Sequence, residues 1–185
     1  MRTVGASLAE MLACLLILSF AVASVSKLMT AGLLQQQAGR ERSDGQDAVR
    51  KGVRLAVRSL RHGFRVVSSS TAFGSAQSSS ASQVIVEVPQ PSGSNPSRIL
   101  MRLYRSANVL YLQRSDQPGS PVAALSGITA LTVNYYLTSG NTRTLCPSSP
   151  SSATDLQLTV RATSGNAIIQ MSADVTMRNA LGTAM

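Results

Sequence analysis

The spacing of apolar positions changes twice along this chain. From Met11 to Ser26 apolar and small residues are almost continuous. Glu10 is the only charge in the 21 residues from Ala6 to Ser26, close to the ~20 that a helix needs to cross a bilayer. The apolar pattern continues past Lys27 through Leu28, Met29, Ala31, Leu33 and Leu34, and no proline occurs before Pro89. From Gln46 to Phe64 the period becomes helical: Val49, Val53, Val57, Leu60 and Phe64 recur at spacings of three and four and form one apolar stripe. Arg50, Arg54, Arg58, Arg61 and Arg65 recur similarly as a basic stripe. Gly39, Gly45 and Gly52 weaken the helix, and Ser43 with Gln46 three residues later fits a capping box, so a break or kink is expected there.

Beyond residue 65 the period falls to two. Residues 66–83, rich in serine, read as a flexible low-complexity linker. Val84, Val86 and Val88 then alternate, as do Ile99, Met101 and Leu103, with a second run at 109–114 after a short turn. Another strand is expected within 128–137, and residues 144–152 read as an irregular loop. The strictest alternation is in DLQLTVR and IQMSADVTMR, joined by Ser164–Asn166, which predicts a hairpin. The expected fold is α+β. A long helix, apolar over 6–34 and amphipathic over 35–65, precedes a small antiparallel sheet in 84–185 whose buried face packs on the helix's second half.

Composition narrows the chemistry. A chain of 185 residues has room for one membrane-type segment and one modest domain. Its net charge of +9 suits nucleic acid, an anionic membrane or an acidic protein without choosing among them. Cys14 lies in the apolar run and Cys146 in a loop, which argues against an intramolecular disulfide, and one histidine, His62, with two cysteines leaves no structural zinc set. No G-x-S-x-G elbow is present and His62 is the only candidate base, so no enzyme is expected. Tyr104, Tyr111, Tyr135 and Tyr136 are assigned to the sheet and its edges.

The carboxylate at the mouth of the apolar run has three readings. In a signal peptide, Arg2 opens the segment, residues 11–20 are its apolar core and Ala21-Val22-Ala23 is a cleavage pattern that releases a soluble β-domain after Ala23. The charge between basic start and apolar core speaks against this. In a plain membrane anchor, Glu10 has no purpose; it costs little at the headgroup level and roughly 2.5–3.5 kcal/mol if placed deeper. The third reading gives it one.

The stretch Gly5-Ala6-Ser7-Leu8-Ala9-Glu10 resembles the prepilin processing motif of type IV pilins and type II secretion pseudopilins. The resemblance is motif-specific over residues 5–34. It implies a leader of residues 1–5 cut after Gly5 by a prepilin peptidase, a new N-terminus at Ala6 open to methylation, and Glu10 fifth in the mature chain. It also implies a long helix packed on a C-terminal sheet. Glu10 would then pair with the Ala6 amine of a neighbouring subunit inside a filament. Expected partners are the peptidase, other pilin or pseudopilin subunits and the inner membrane, with no cofactor. Arg2 would stay in the cytoplasm, Lys27 would sit near the outer face, and the globular part would be periplasmic or extracellular. Where the family usually has Phe at its mature start, this chain has Ala6; where major pilins commonly carry a kinking proline, it has Lys27. The first departure bears on methylation of the new N-terminus; the second, with the weaker resemblance of ADVTMRN to the last strand of minor pilins and J-type pseudopilins, points to a minor subunit. A different function, DNA capture in competence, would use the basic stripe: residues 40–65 hold eight Lys or Arg against three Asp or Glu.

Overall fold

The structure, a computed structural model, describes residues 7–89, 98–146, 150–164 and 167–177. The fold is α+β. One α-helix, α1 (Leu8–Arg61), precedes eleven described strands, and one turn of 3-10 helix (Pro150–Ser152) falls within the expected 144–152 loop. These are β1 (Arg65–Val66), β2 (Ser69–Ser70), β3 (Gln77–Ser78), β4 (Gln83–Pro89), β5 (Arg98–Ser106), β6 (Val109–Arg114), β7 (Gln117–Ser126), β8 (Ile128–Ser139), β9 (Thr142–Leu145), β10 (Asp155–Ser164) and β11 (Ala167–Thr176). The chain divides into two units, one through Ser43 and one from Asp44.

In the first unit every described residue is exposed. Leu12, Leu15 and Ile17 stand in the open, and Phe20 is 68% exposed. The polar side chains among them turn back on the helix. Ser19 Oγ donates to the Leu15 carbonyl at 2.7 Å, Ser24 Oγ to Phe20 at 2.7 Å and Thr30 Oγ1 to Ser26 at 2.9 Å. Hydroxyls bonded four residues back need no water, so over residues 11–25 the surface offered outward is apolar. Among the described residues α1 is the one helix long and apolar enough to cross a membrane.

In the second unit the end of α1 is amphipathic. Val49, Gly52, Val53, Ala56 and Leu60 are buried at the spacing of one helical face, and Val57 is half-buried beside them. This stripe joins a single core with the inner faces of two antiparallel sheets. The first sheet has the order β1-β4-β5-β6-β7 and contributes Val66, Val86 and Leu103. The second has the order β11-β10-β8-β9 and contributes Leu156, Leu158 and Val175. Register keeps these residues in one layer: Val66 faces Val86, and Leu156 lies between Tyr135 and Val175. Two glycines let the elements approach closely. A Cβ on Gly52 would stand 2.7 Å from Leu125 Cβ and 2.9 Å from the Ala124 carbonyl oxygen, and one on Gly63 would strike Val86 Cγ1.

Several expectations need correcting. Helix α1 runs without a break through Ser43–Gln46, so the capping-box reading there fails. The helix ends at Arg61, and the Gly63 amide closes it on the Leu60 carbonyl at 2.9 Å. Arg65 therefore belongs to β1 and not to the helical stripe, and Phe64 is half-buried outside the helix. The serine-rich 66–83 segment is not a loose linker. It carries β1's last residue and the β2–β3 pair, and it buries Phe73. It is also pinned to the second sheet: the Tyr135 hydroxyl lies 2.8 Å from both the Ser80 and Gln83 carbonyl oxygens and donates to them, and the Val133 amide donates to Ala81 at 2.8 Å. Two larger sheets and the small β2–β3 pair replace the single expected one, the chain passing from the first large sheet to the second between β7 and β8. The hairpin over β10 and β11 has ten residue pairs in register. Its turn residues Gly165 and Asn166 lie outside the described residues.

Gly52 and Gly39 give opposite expectations. Gly52→Ala gains helix propensity but must displace Leu125 and backbone, so a net loss of about 1–3 kcal/mol is expected. Gly39 has nothing within 4 Å of a new Cβ, so Gly39→Ala is expected to be neutral or to stabilise by up to about 1 kcal/mol. Denaturant unfolding of the full chain in a non-ionic detergent checks both; equal midpoints for the two variants would contradict the close packing at Gly52.

Candidate functional site

Glu10 stands in the first turn of α1, and the residues before it explain how the helix begins. Ser7 is the residue before the first helical one. Its Oγ accepts from the Glu10 amide at 3.3 Å, and Glu10 Oε2 accepts from the Ser7 amide at 2.9 Å. This reciprocal pair is a capping box, and it satisfies two amides that a helix start leaves without partners. The S-x-x-E spacing is plain in the sequence, and the cap is a role for Ser7 that reading Glu10 as an assembly residue alone overlooks. A carboxylate near the positive end of the helix is also electrostatically favourable. Among the described residues Glu10 Oε1 has no hydrogen-bond partner, and down the same face lie Met11, Cys14, Leu15 and Leu18. The cap thus holds the carboxylate at the head of an apolar stripe with one oxygen open. Gly5 and Ala6, the processing residues that the resemblance implies, lie outside the described residues.

The basic stripe is split by the end of the helix. Arg50, Arg54, Arg58 and Arg61 are exposed on α1, and Arg50 is 3.8 Å from Asp47. Among the described residues no carboxylate pairs with Arg54, Arg58 or Arg61. Arg65, by contrast, is engaged: its Nε donates to Glu87 Oε2 at 2.6 Å, and Arg98 approaches Glu87 Oε1 at 3.5 Å while stacking over Phe64 at 4.6 Å. Sequence spacing put Arg65 with the others because a helical period can continue by chance across a helix end.

Cys14 is exposed on the apolar face, while Cys146 is half-buried and its burial pushes the thiol above its ordinary value, which disfavours the reactive thiolate. His62 is exposed just past the helix. Tyr104 and Tyr111 stack at 5.6 Å across β5 and β6, Tyr135 is buried, and Arg143 lies 3.9 Å from the Tyr136 ring centroid. Among the described residues no group of three or more His, Cys, Asp and Glu could hold a metal ion.

One polar cluster was not apparent in the sequence. Asp155 is 8% exposed, and Thr138 Oγ1 and Thr154 Oγ1 both donate to its Oδ2. Burial alone would raise its carboxyl. The hydrogen bonds from Thr138, Thr176 and Thr154, with the charge of Arg143, outweigh burial and hold it below the usual carboxylate value. Arg143 in turn donates to Asp174 at 2.7 Å. Thr154 adjoins Asp155 in the chain, but Thr138 of β8 and Thr176 of β11 meet Asp155 of β10 only because the strands pair.

No family model matches the chain, and no curated protein matches it in sequence.

The Asp155 cluster makes a pH-dependent contribution. A carboxyl held lower in the folded chain than in the unfolded one stabilises above its unfolded value, about 3.9, and loses that contribution as pH falls through the folded value. Asp155→Asn is expected to cost about 1–2 kcal/mol at pH 7, where a charge-assisted bond is lost, and the gap to the parent chain should close as pH drops below about 4. Denaturant unfolding at several pH values reads this directly; a pH-independent gap would show that the carboxylate's charge is not what counts.

Proposed function

We propose that this chain is a prepilin-like structural subunit. It is cut after Gly5 by a prepilin peptidase and joins a filament of related subunits, a type IV pilus or a type II secretion pseudopilus, as a minor component. The observation that carries this reading is Glu10 itself: a capped, exposed carboxylate at the head of a helix whose next residues are apolar on every side. A lipid anchor or a secretion signal gains only the helix cap from it and has no partner to offer the oxygen left open. In a bundle of such helices it would meet the amine that cleavage creates on Ala6 of a neighbour. An unpaired ion among apolar helices costs several kcal/mol, and pairing removes that cost while setting the register between subunits.

Further support comes from the rest of the molecule. Ser19, Ser24 and Thr30 bond their own helix and leave an apolar surface that lipid or other helices can cover. The α+β plan, a long apolar helix followed by antiparallel sheets, is the plan the motif resemblance implies. Under this reading the chain sits in the inner membrane with its second unit in the periplasm or outside the cell. The peptidase performs the chemistry, and this chain is its substrate.

The cap and the inter-subunit pair can be separated. Glutamine at N3 keeps the capping acceptor but carries no charge, whereas alanine loses both. Cells supplying the peptidase and the assembly machinery would express wild type, Glu10→Gln and Glu10→Ala, and the chain would be quantified in membranes and in sheared or extracted filaments. Both variants should be inserted and cut. Both should be depleted from filaments by more than about a hundred-fold, the factor that corresponds to roughly 3 kcal/mol for an orphaned buried charge. If Glu10→Gln assembles like wild type while Glu10→Ala does not, Glu10 is only a helix cap and the inter-subunit pair is wrong.

A further inference from the structure

The second unit has a groove beside β11. It is about 710 Å³ in volume. Val57 of the helix and Met171 and Ala173 of β11 supply apolar lining, while Arg54, Arg58 and Arg61 stand along the helix side. The three apolar residues are only partly buried, although they belong to the margin of the core. Strand β11 is the last in its sheet, so one of its edges has no strand partner among the described residues. An open edge beside an apolar lining is a template for an added strand.

Charge decides the kind of strand. The three arginines are exposed and, among the described residues, have no carboxylate partner. The acidic group at the groove, Asp174, already receives Arg143 at 2.7 Å. The unmet potential is therefore positive. Residues two apart on a strand are about 6.6 Å apart and point the same way. Residues four apart on a helix, such as Arg54 and Arg58, are about 6 Å apart, so acidic residues at alternate strand positions match the spacing of the arginines. A second copy of this chain is a poor occupant, because with 17 basic and 8 acidic residues it brings like charge to the groove. DNA offers phosphates but nothing for the apolar lining.

We propose that this groove is a docking site for an extended acidic segment of another protein. The segment adds to the free edge of β11 as a strand and turns carboxylates towards Arg54, Arg58 and Arg61. The site goes beyond the assembly role of the N-terminal helix, and it stands or falls independently of cleavage at Gly5.

The test uses the full chain in a non-ionic detergent and a fluorescein-labelled peptide, Thr-Val-Thr-Glu-Thr-Glu-Thr-Val, read by fluorescence anisotropy. Saturable binding of one peptide per chain is expected. The pair Arg54→Glu and Arg58→Glu should weaken it by about ten-fold or more, since both changes place like charge at the contact. Arg161→Glu, an exposed charge reversal on β10, should leave it unchanged. The same peptide N-methylated at alternate residues keeps its charges and loses its strand hydrogen bonds, and it should bind at least about ten-fold more weakly to the wild-type chain. That comparison needs no protein variant and so survives if the double variant misfolds. Equal binding by the N-methylated peptide, or by the double variant, would overturn the proposal. So would failure of the peptide to bind while a single-stranded oligonucleotide or phosphatidylglycerol vesicles do, or self-association of the chain that the double variant abolishes.

Discussion

Everything in the first unit depends on one constraint: among the described residues nothing covers its apolar side chains. Leu12, Leu15, Ile17 and Phe20 stay exposed, and each would gain roughly 1.5–3 kcal/mol on burial. Summed over the helix face, that drive exceeds the whole stability of an ordinary domain, so water is not the surrounding this surface is built for. The hydroxyls bonded to their own helix remove the polar groups that would resist an apolar surrounding. Between Leu8 and Ser26 one charge remains, the Glu10 carboxylate at the helix head. Its cap fixes its position, and an apolar surrounding would make its charge expensive unless a cation were brought to it.

The second unit solves the opposite problem. There the helix buries Val49, Val53, Ala56 and Leu60 fully, and two sheets share the core with it. Such sharing demands close approach, which Gly52 and Gly63 permit, and it demands that the serine-rich crossing be held in place. Tyr135 does the latter from the second sheet: its ring fills the core and its hydroxyl serves two carbonyls of the crossing segment. The helix stripe does not cover the inner face of β11 completely, and this is why Met171 and Ala173 are left half-exposed beside a row of arginines.

Much of this was legible in the sequence, and the misses have physical causes. Period-3.6 spacing placed the buried stripe at Val49–Leu60, and period-2 alternation placed β4, β5, β6 and the β10–β11 hairpin, because half-buried elements write their geometry into polarity. Strand β7 was hidden: its QPGSPV start is exposed and proline-bearing, so it has no alternation to show. The serine-rich segment looked disordered because its fixing contacts use backbone carbonyls and a tyrosine more than fifty residues away. The Ser43–Gln46 pair fits a capping box in pattern, but the backbone there is already helical and needs no cap. At the site, Glu10 was visible as a charge out of place, but its reciprocal bonds to Ser7 were not read, because the same spacing at Ser43–Gln46 makes no cap and only the position of the helix start tells the two apart. The groove beside β11 was not visible, because which strand ends a sheet is decided by pairing over long sequence distances.

The measurement that bears most directly on the central claim is the mass of the mature N-terminal peptide, taken from cells that carry a prepilin peptidase. Processing as a prepilin requires a chain that begins at Ala6, with or without one methyl group on its amine. A chain that begins at Ser24 would contradict it, since Glu10 would then have been discarded with a secretion signal.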